Sequence, residues 1–412
     1  MFKEIHLTNF FSFQEGEIKL EADVNLLIGI NGSGKSNLFK ALDLLRSGMK
    51  GGLAEIIRDW GGFDNIYCKC PGETEHPNSI GLKFILDKNF LSRFNYYFQD
   101  DIEYTIILRK KPSFDNYDIV EWVNSIKDNG QDFTLLSFQH GCGWIYEKKT
   151  KSEEVEEEFE QYGSGNWHRV NYDDKEPEEL VLSTIDDSDR YPALTALAKA
   201  LRSIDVYNYF NTKTDSPLRT SIKATGEEKL QREGENLFPV LNTLDIKHPR
   251  VFDQLKDHLN IINEQFIDLK FQQFGSGVFQ AYLKEKNLNS AIHAAQVSDG
   301  TLKFLCLLAI LLNPSRGAVI FIDEPEKGLH PDMLREIASI ILNSAKESQI
   351  IIATHSPQLL NFFKVRNIRV FEKDEENKTI IKTYNEEDFK EWYNEFAPGN
   401  LWEKGELGGV RF

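Results

Sequence analysis

Val24-Asn-Leu-Leu-Ile28, then Gly29-Ile-Asn-Gly-Ser-Gly-Lys-Ser36, then Asn37-Leu-Phe-Lys-Ala-Leu-Asp-Leu-Leu45 decide the fold. The nearly continuous apolar run before Gly29 suits a strand buried on both faces of a sheet. After Gly34 the spacing becomes helical, with Leu38, Phe39, Leu42 and Leu45 on one stripe. Between them lies GxxxxGK[ST], the P-loop pattern, in the strand-then-helix context that the pattern requires. Glycines at 29, 32 and 34 let successive backbone N–H groups point inward at phosphate oxygens, and the following helix aims its positive end at the same anion. Lys35 would reach the β- and γ-phosphates, and the Ser36 hydroxyl would ligate Mg²⁺.

Three further stretches carry chemistry. Ala318-Val-Ile-Phe-Ile-Asp-Glu324 is an apolar strand ending in two carboxylates. In isolation such a pair ends many surface strands, but beside a P-loop Asp323 suits the Mg²⁺ shell. Glu324 suits a base or positioner for an attacking water. Ile350-Ile-Ile-Ala-Thr-His355 delivers a histidine to the same sheet edge, where an imidazole would sense the γ-phosphate. Val297-Ser-Asp-Gly-Thr301 opens a helical run through Leu312; alone, Ser298 would be a simple N-cap, but a Ser-x-Gly there is also an anion site.

The rest of the chain supplies context. Its 412 residues carry 48 Lys plus Arg against 65 Asp plus Glu, a net charge of −17, which argues against a surface generally attractive to nucleic acid or anionic lipid. The longest apolar run, Phe304 to Leu312, is too short to span a bilayer, and Met1-Phe-Lys-Glu-Ile opens into a strand pattern rather than a signal peptide. Cys68, Cys70, Cys142 and Cys306 have no zinc spacing and read as reduced thiols of a cytoplasmic protein. Residues 79–171 alternate like an antiparallel β-region, and Ser152–Glu160, with six glutamates, reads as a solvated acidic stretch. Leu194, Leu197, Leu201 and Ile204 form one helical stripe. Val251, Leu255, Leu259, Ile262 and Phe266 form another, read as a core-packing helix rather than a coiled-coil arm. From 270 onward strands and helices alternate, which predicts a mainly parallel sheet shared by both ends of the chain.

Taken in order, Walker A at 29–36, Ser298-Asp-Gly300, Walker B at 318–324 and His355 resemble the ABC class of P-loop ATPases. The chain is similar, more narrowly, to the RecF/SMC/OLD-like "AAA family ATPase" group, often found in bacterial antiphage defence operons. Leu7-Thr-Asn-Phe10, Gly234-Glu-Asn-Leu237, Ser298 to Phe304, Asp323-Glu-Pro-Glu-Lys-Gly-Leu-His-Pro331, Ala353 to Pro357 and Gly405 to Gly409 carry the likeness. The resemblance implies an α/β ABC-type ATPase head, a mainly parallel P-loop sheet plus an antiparallel β-lobe with a helical insertion. The expected divisions are 1–185 (lobe I), 186–268 (helical insertion) and 269–412 (lobe II). It also implies ATP and Mg²⁺ as cofactors and a head-to-head ATP-sandwich dimer, or a larger oligomer. Asn31, Gly32, Ser33, Gly34, Lys35, Ser36 and Asn37 would hold nucleotide in one subunit, and Ser298, Asp299 and Gly300 would close on it from the other. Catalytic roles fall to Lys35, Glu324 and His355, and metal ligation to Ser36 and Asp323. Asp299 and Thr301 depart from the transporter signature, where glycine and glutamine or glutamate are usual. The Q-loop glutamine has no firm place; Gln99 and Gln139 are the candidates.

Function is weighed among three readings. A transporter engine is disfavoured because 261 residues separate Ser36 from Ser298. A self-contained OLD-type nuclease would need a Toprim domain, and the 57 residues after His355 are too few. The expected function is therefore an ATP-hydrolysing sensor or regulatory subunit of a bacterial defence complex, with a separate nuclease or toxin partner and no membrane. The alternative is a RecF-like DNA-repair ATPase that binds duplex DNA directly. Only Arg109-Lys-Lys111 and Lys148-Lys149 with Lys151 offer basic clusters, so DNA contact is expected to be local or indirect.

Overall fold

The computed structural model describes residues 1–70, 78–111, 117–127, 132–148, 167–173, 178–213, 215–219, 222–223, 226–274, 278–389 and 397–408. The acidic stretch 152–160, Lys149, Lys151 and Gly409 lie outside them. A six-stranded sheet runs in the order Ile204–Tyr207, Val319–Asp323, Gln349–Ala353, Val24–Ile28, Ile368–Lys373, Thr379–Thr383. Its first five strands are parallel and the last is antiparallel. The P-loop strand thus sits between strands from near the other end of the chain, as the shared-sheet expectation requires. Gln349 ties the two ends further: its side chain accepts from Phe2 N at 2.9 Å and donates to Phe2 O at 2.7 Å.

The central strands are apolar on both faces because each face meets its own core. Leu27, Val319, Phe321 and Ile351 point into one cluster; Val24, Leu26, Ile28, Ile320, Ile322, Ile350 and Ile352 point into the other. The first cluster is closed by the P-loop helix Lys35–Gly48, the helix Pro192–Arg202 and the eight-stranded antiparallel sheet. That sheet takes in the first two strands, Phe2–Phe10 and Phe13–Lys19, besides the expected run from Ser79–Leu86 to Trp167–Tyr172. The second cluster is built on the helix Asp299–Leu311, in which every residue from Phe304 to Leu311 is buried. That all-round burial explains its continuous apolar run, and each fully buried leucine there contributes about 1.5–3 kcal/mol. The helices Leu237–Lys247, Pro249–Ile262 and Pro331–Ser344 complete this layer.

Two expectations meet differences. Residues 186–268 hold helices, but Ile204–Tyr207 among them is a strand that pairs in parallel with Val319–Ile322, so this stretch is woven into the ATPase sheet. Ile204 therefore closes a helical stripe by sequence and opens a strand in space. The second stripe ends early: the helix stops at Ile262, and Phe266 begins the strand Phe266–Phe274, antiparallel to Val278–Glu285. Phe252, Leu255 and Leu259 are buried, which is the core-packing arrangement.

Candidate functional site

Three loops leave the carboxyl ends of neighbouring strands of the parallel sheet, the edge where α/β sheets bind ligands. The first is the P-loop. Gly29 and Gly34 have φ of 143° and 111°. A Cβ would lie 2.2 Å from Phe371 O at Gly29 and 2.3 Å from Thr379 Oγ1 at Gly34, so only glycine fits. Gly34 caps the P-loop helix without any side-chain bond, which leaves that N-terminus to backbone donors. Lys35 is buried, and its Nζ donates to Gly29 O at 2.7 Å and Ile30 O at 3.2 Å. Burial pushes its ammonium down to about 8, against the pull of Asp323 and Glu324. Ser33 is fully buried and its Oγ has no hydrogen-bond partner among the described residues, whereas Asn31, Gly32 and Ser36 are exposed.

Asn37 makes a different contact. Its Nδ2 donates to Ser12 Oγ at 2.7 Å; Ser12 Oγ lies 2.7 Å from Thr379 Oγ1, which in turn donates to Ser33 O at 2.8 Å. Ser12 and Thr379 therefore brace the loop from two distant strands' ends, a role that sequence reading missed. Beside them a cavity of about 260 Å³ is lined by Phe11, Ser12, Asn37, Tyr67, Cys70 and Lys373, among others.

The second loop follows Walker B. Asp323 ends its strand, and burial together with the Glu324 carboxylate pushes it up to about 6 despite Lys35. Glu324 has φ of 45°, a left-handed backbone that costs a non-glycine residue about 1–3 kcal/mol. Its N–H is held by Ala353 O at 2.8 Å. The Glu324 carboxylate meets Lys327 Nζ at 2.8 Å and His355 Nε2 at 3.9 Å. The third loop carries His355, whose pKa is lowered by burial and then by Lys35, which favours the neutral imidazole. Glu326 fixes that loop, accepting from Thr354 Oγ1 at 2.7 Å and His355 N at 2.9 Å. Lys35, Asp323, Glu324 and His355 thus form one electrostatic group.

Ser298 is exposed at the start of its helix; its Oγ accepts from Thr301 N at 3.2 Å and lies 2.8 Å from Thr301 Oγ1. Asp299 pairs with Arg219. A Cβ on Gly300 would come within 3.1 Å of Gly328 O, and Lys303 Nζ donates to Lys327 O at 3.0 Å, so the signature helix packs on the loop after Walker B. Gln139 is in the antiparallel sheet beside His140, and Gln99 precedes the strand Asp101–Lys110; no contact joins either to the P-loop among the described residues.

Residues 24–361 match the family described as "AAA domain, putative AbiEii toxin, Type IV TA system" (AAA_21). The chain belongs to this family. It is an ABC/SMC-like P-loop ATPase domain, and its fold is that of SMC heads. An SmcHead bound to the C-winged helix domain of ScpA superposes with a TM-score of 0.57 at 13% identity, covering 94% of this chain and 99% of that one. A Pyrococcus furiosus Smc head with an extended coiled coil, bound to the C-terminal domain of ScpA, gives 0.52 at 13%, covering 96% and 98%. The "Glutathione/L-cysteine transport system ATP-binding/permease protein CydC" of Haemophilus influenzae is 30% identical over 126 residues, 30% of this chain. This AAA_21 chain spans about a fifth (22%) of that relative's length. Among its described residues no helix is long and apolar enough to cross a membrane.

Proposed function

We propose that this AAA_21 protein binds and hydrolyses ATP between two head-to-head copies and acts as the sensor or regulatory subunit of a bacterial defence complex. One observation carries the catalytic part: Lys35, Asp323, Glu324 and His355 converge at one sheet edge above an uncapped helix N-terminus. In this reading the P-loop amides, Asn31 to Ser36 and Lys35 hold the phosphates. Ser12, Asn37 and the cavity beside them take the nucleoside. The residues also fit Mg²⁺: Asp323 is a carboxylate crowded by Glu324 and Glu326, which a cation would relieve, and Ser36 offers an exposed hydroxyl. Asp323 and Ser36 would hold the ion, which supplies charge neutralisation at the phosphates.

Glu324 orients the attacking water and takes its proton, and the neutral His355 donates to the γ-phosphate. Ser298, exposed on its own head, closes on the nucleotide of the second copy with Asp299 and Gly300. The family description, a putative AbiEii toxin of a type IV TA system, supports a toxin-linked role; the separate nuclease or toxin partner is part of the proposal. The direct DNA-binding alternative draws little support, since Lys110 and Lys111 of the described basic cluster are spent on Asp64 and Asp118. E324Q is expected to bind ATP, lose turnover about 100-fold or more and accumulate an ATP-dependent dimer in light scattering. K35A should lose ATP binding. Wild-type turnover in E324Q would overturn the role of Glu324, and in K35A that of the P-loop.

A further inference from the structure

The signature segment contains an oddity that the proposed dimer makes acute. Asp299 puts a carboxylate next to Ser298, in a loop proposed to receive the most highly charged oxygens of ATP. A bare carboxylate there would repel them. Among the described residues one group forms an ion pair with it. The Arg219 guanidinium, on a segment 80 residues earlier, is 9% exposed and bonds four acceptors. Nε donates to Thr212 O at 2.8 Å; Nη1 donates to Ala295 O at 2.8 Å and to Val297 O at 2.7 Å; Nη2 donates to the Asp299 carboxylate. Three of these acceptors flank Ser298, two carbonyls before it and one carboxylate after it.

That geometry does two things at once. It fixes the backbone entering the helix, because one nitrogen of a rigid, buried guanidinium bonds the carbonyls of both 295 and 297. It also pairs the Asp299 carboxylate with a cation, beside the weaker pull of Lys303, so that the Ser298 hydroxyl and the helix N-terminus are presented to an anion with that negative charge offset. Lysine would supply charge but not the fork.

We propose that Arg219 is a positioning residue for the ATP-sandwich reaction: by clamping Ala295, Val297 and Asp299 it makes the signature loop competent to accept the γ-phosphate held by a second copy. This rests on the head-to-head reading above. It requires Arg219 to matter for closure and turnover while leaving nucleotide binding to the P-loop of the same chain untouched.

The test uses the full chain, with a fluorescent ATP analogue for binding, steady-state turnover, and light scattering of variants in the E324Q background. R219A is expected to hold the analogue within about threefold of wild type and to lose turnover at least about tenfold, the scale for losing charge-assisted hydrogen bonds from a buried guanidinium, since the Asp299 carboxylate left behind is itself exposed. R219A/E324Q should need at least about tenfold more protein to dimerise with ATP. Adding D299N to R219A should recover part of the dimerisation, since the uncompensated carboxylate is then gone; R219K should fall between R219A and wild type. A merely structural arginine would give no such rescue by D299N. Wild-type turnover in R219A, equal dimerisation of R219A/E324Q and E324Q, or no rescue by D299N would each overturn the proposal. If R219A is insoluble, R219K decides: wild-type turnover in it overturns the need for the fork. Failure of E324Q itself to dimerise with ATP would instead refute the head-to-head reading.

Discussion

Lys35 shows how one residue couples the loop to its chemistry. Its ammonium is buried against two carbonyls, and burial sets its pKa at about 8. ATP phosphates would favour the charged form and return the group toward its ordinary value of 10.5. Binding must therefore take up a proton wherever free Lys35 is mostly neutral and bound Lys35 mostly charged, between these two values. At pH 9 the uptake assigned to Lys35 approaches about one proton per ATP, and at pH 7 about a tenth. Calorimetry in buffers of different ionisation enthalpy reads it directly. K35R, charged throughout this range, should erase the pH 9 excess; an unchanged excess would assign the proton elsewhere. The motif glycines and Lys35 were legible in the sequence because their backbone demand is written in residue type. Ser12, Thr379 and Arg219 were not: a serine in a turn, a threonine opening a strand and an arginine ending a short helical turn signal nothing until the fold brings them to Asn37, Ser33 and Asp299.

At the scale of elements, legibility followed burial. Val24–Ile28, Val319–Asp323 and Gln349–Ala353 were readable because both faces are buried, which writes an unbroken apolar run. Ile204–Tyr207 was not, because four residues carrying a polar Asp205 follow a helix without a turn signal. Phe266 likewise fell on a helical period by coincidence. A short element shows burial of another kind: the turn Val181–Thr184, which leads into the helix Pro192–Arg202, hangs from a buried carboxylate. Glu121 accepts from Val181 N at 2.6 Å, Leu182 N at 3.0 Å and Tyr104 OH at 2.8 Å. Burial nevertheless outweighs these bonds and pushes it up to about 7 from 4.5. The unfolded chain releases this proton near 4.5 and the folded chain near 7, so the native state binds more protons between them. The stability contributed by this group is full below 4.5 and lost as pH rises through 7. E121Q removes the titration, so its stability relative to wild type should rise by on the order of 3 kcal/mol between pH 4.5 and 7. Urea unfolding of both proteins at the two ends of that range checks this, and a pH-independent difference would refute it.

At the scale of the molecule, the net charge of −17 makes each head acidic as a whole, with Lys35 buried at the P-loop. Two such heads approaching one another repel over a distance that salt shortens, from about 30 Å at 0.01 M to about 8 Å at 0.15 M. ATP-driven pairing of E324Q, measured at saturating nucleotide, should therefore tighten severalfold as salt rises from 0.02 to 0.2 M. Direct duplex binding has the opposite sign, because lysines and arginines that displace counterions from phosphates lose affinity steeply over the same range. One salt titration with two readouts, light scattering for pairing and fluorescence anisotropy of a labelled duplex for DNA, thus separates the two functional readings. Pairing that strengthens with salt, with no salt-sensitive anisotropy change, fits an acidic head whose closure is governed by nucleotide. Pairing that weakens, together with anisotropy that falls as salt rises, would place the working surface on basic residues and favour the DNA-repair reading.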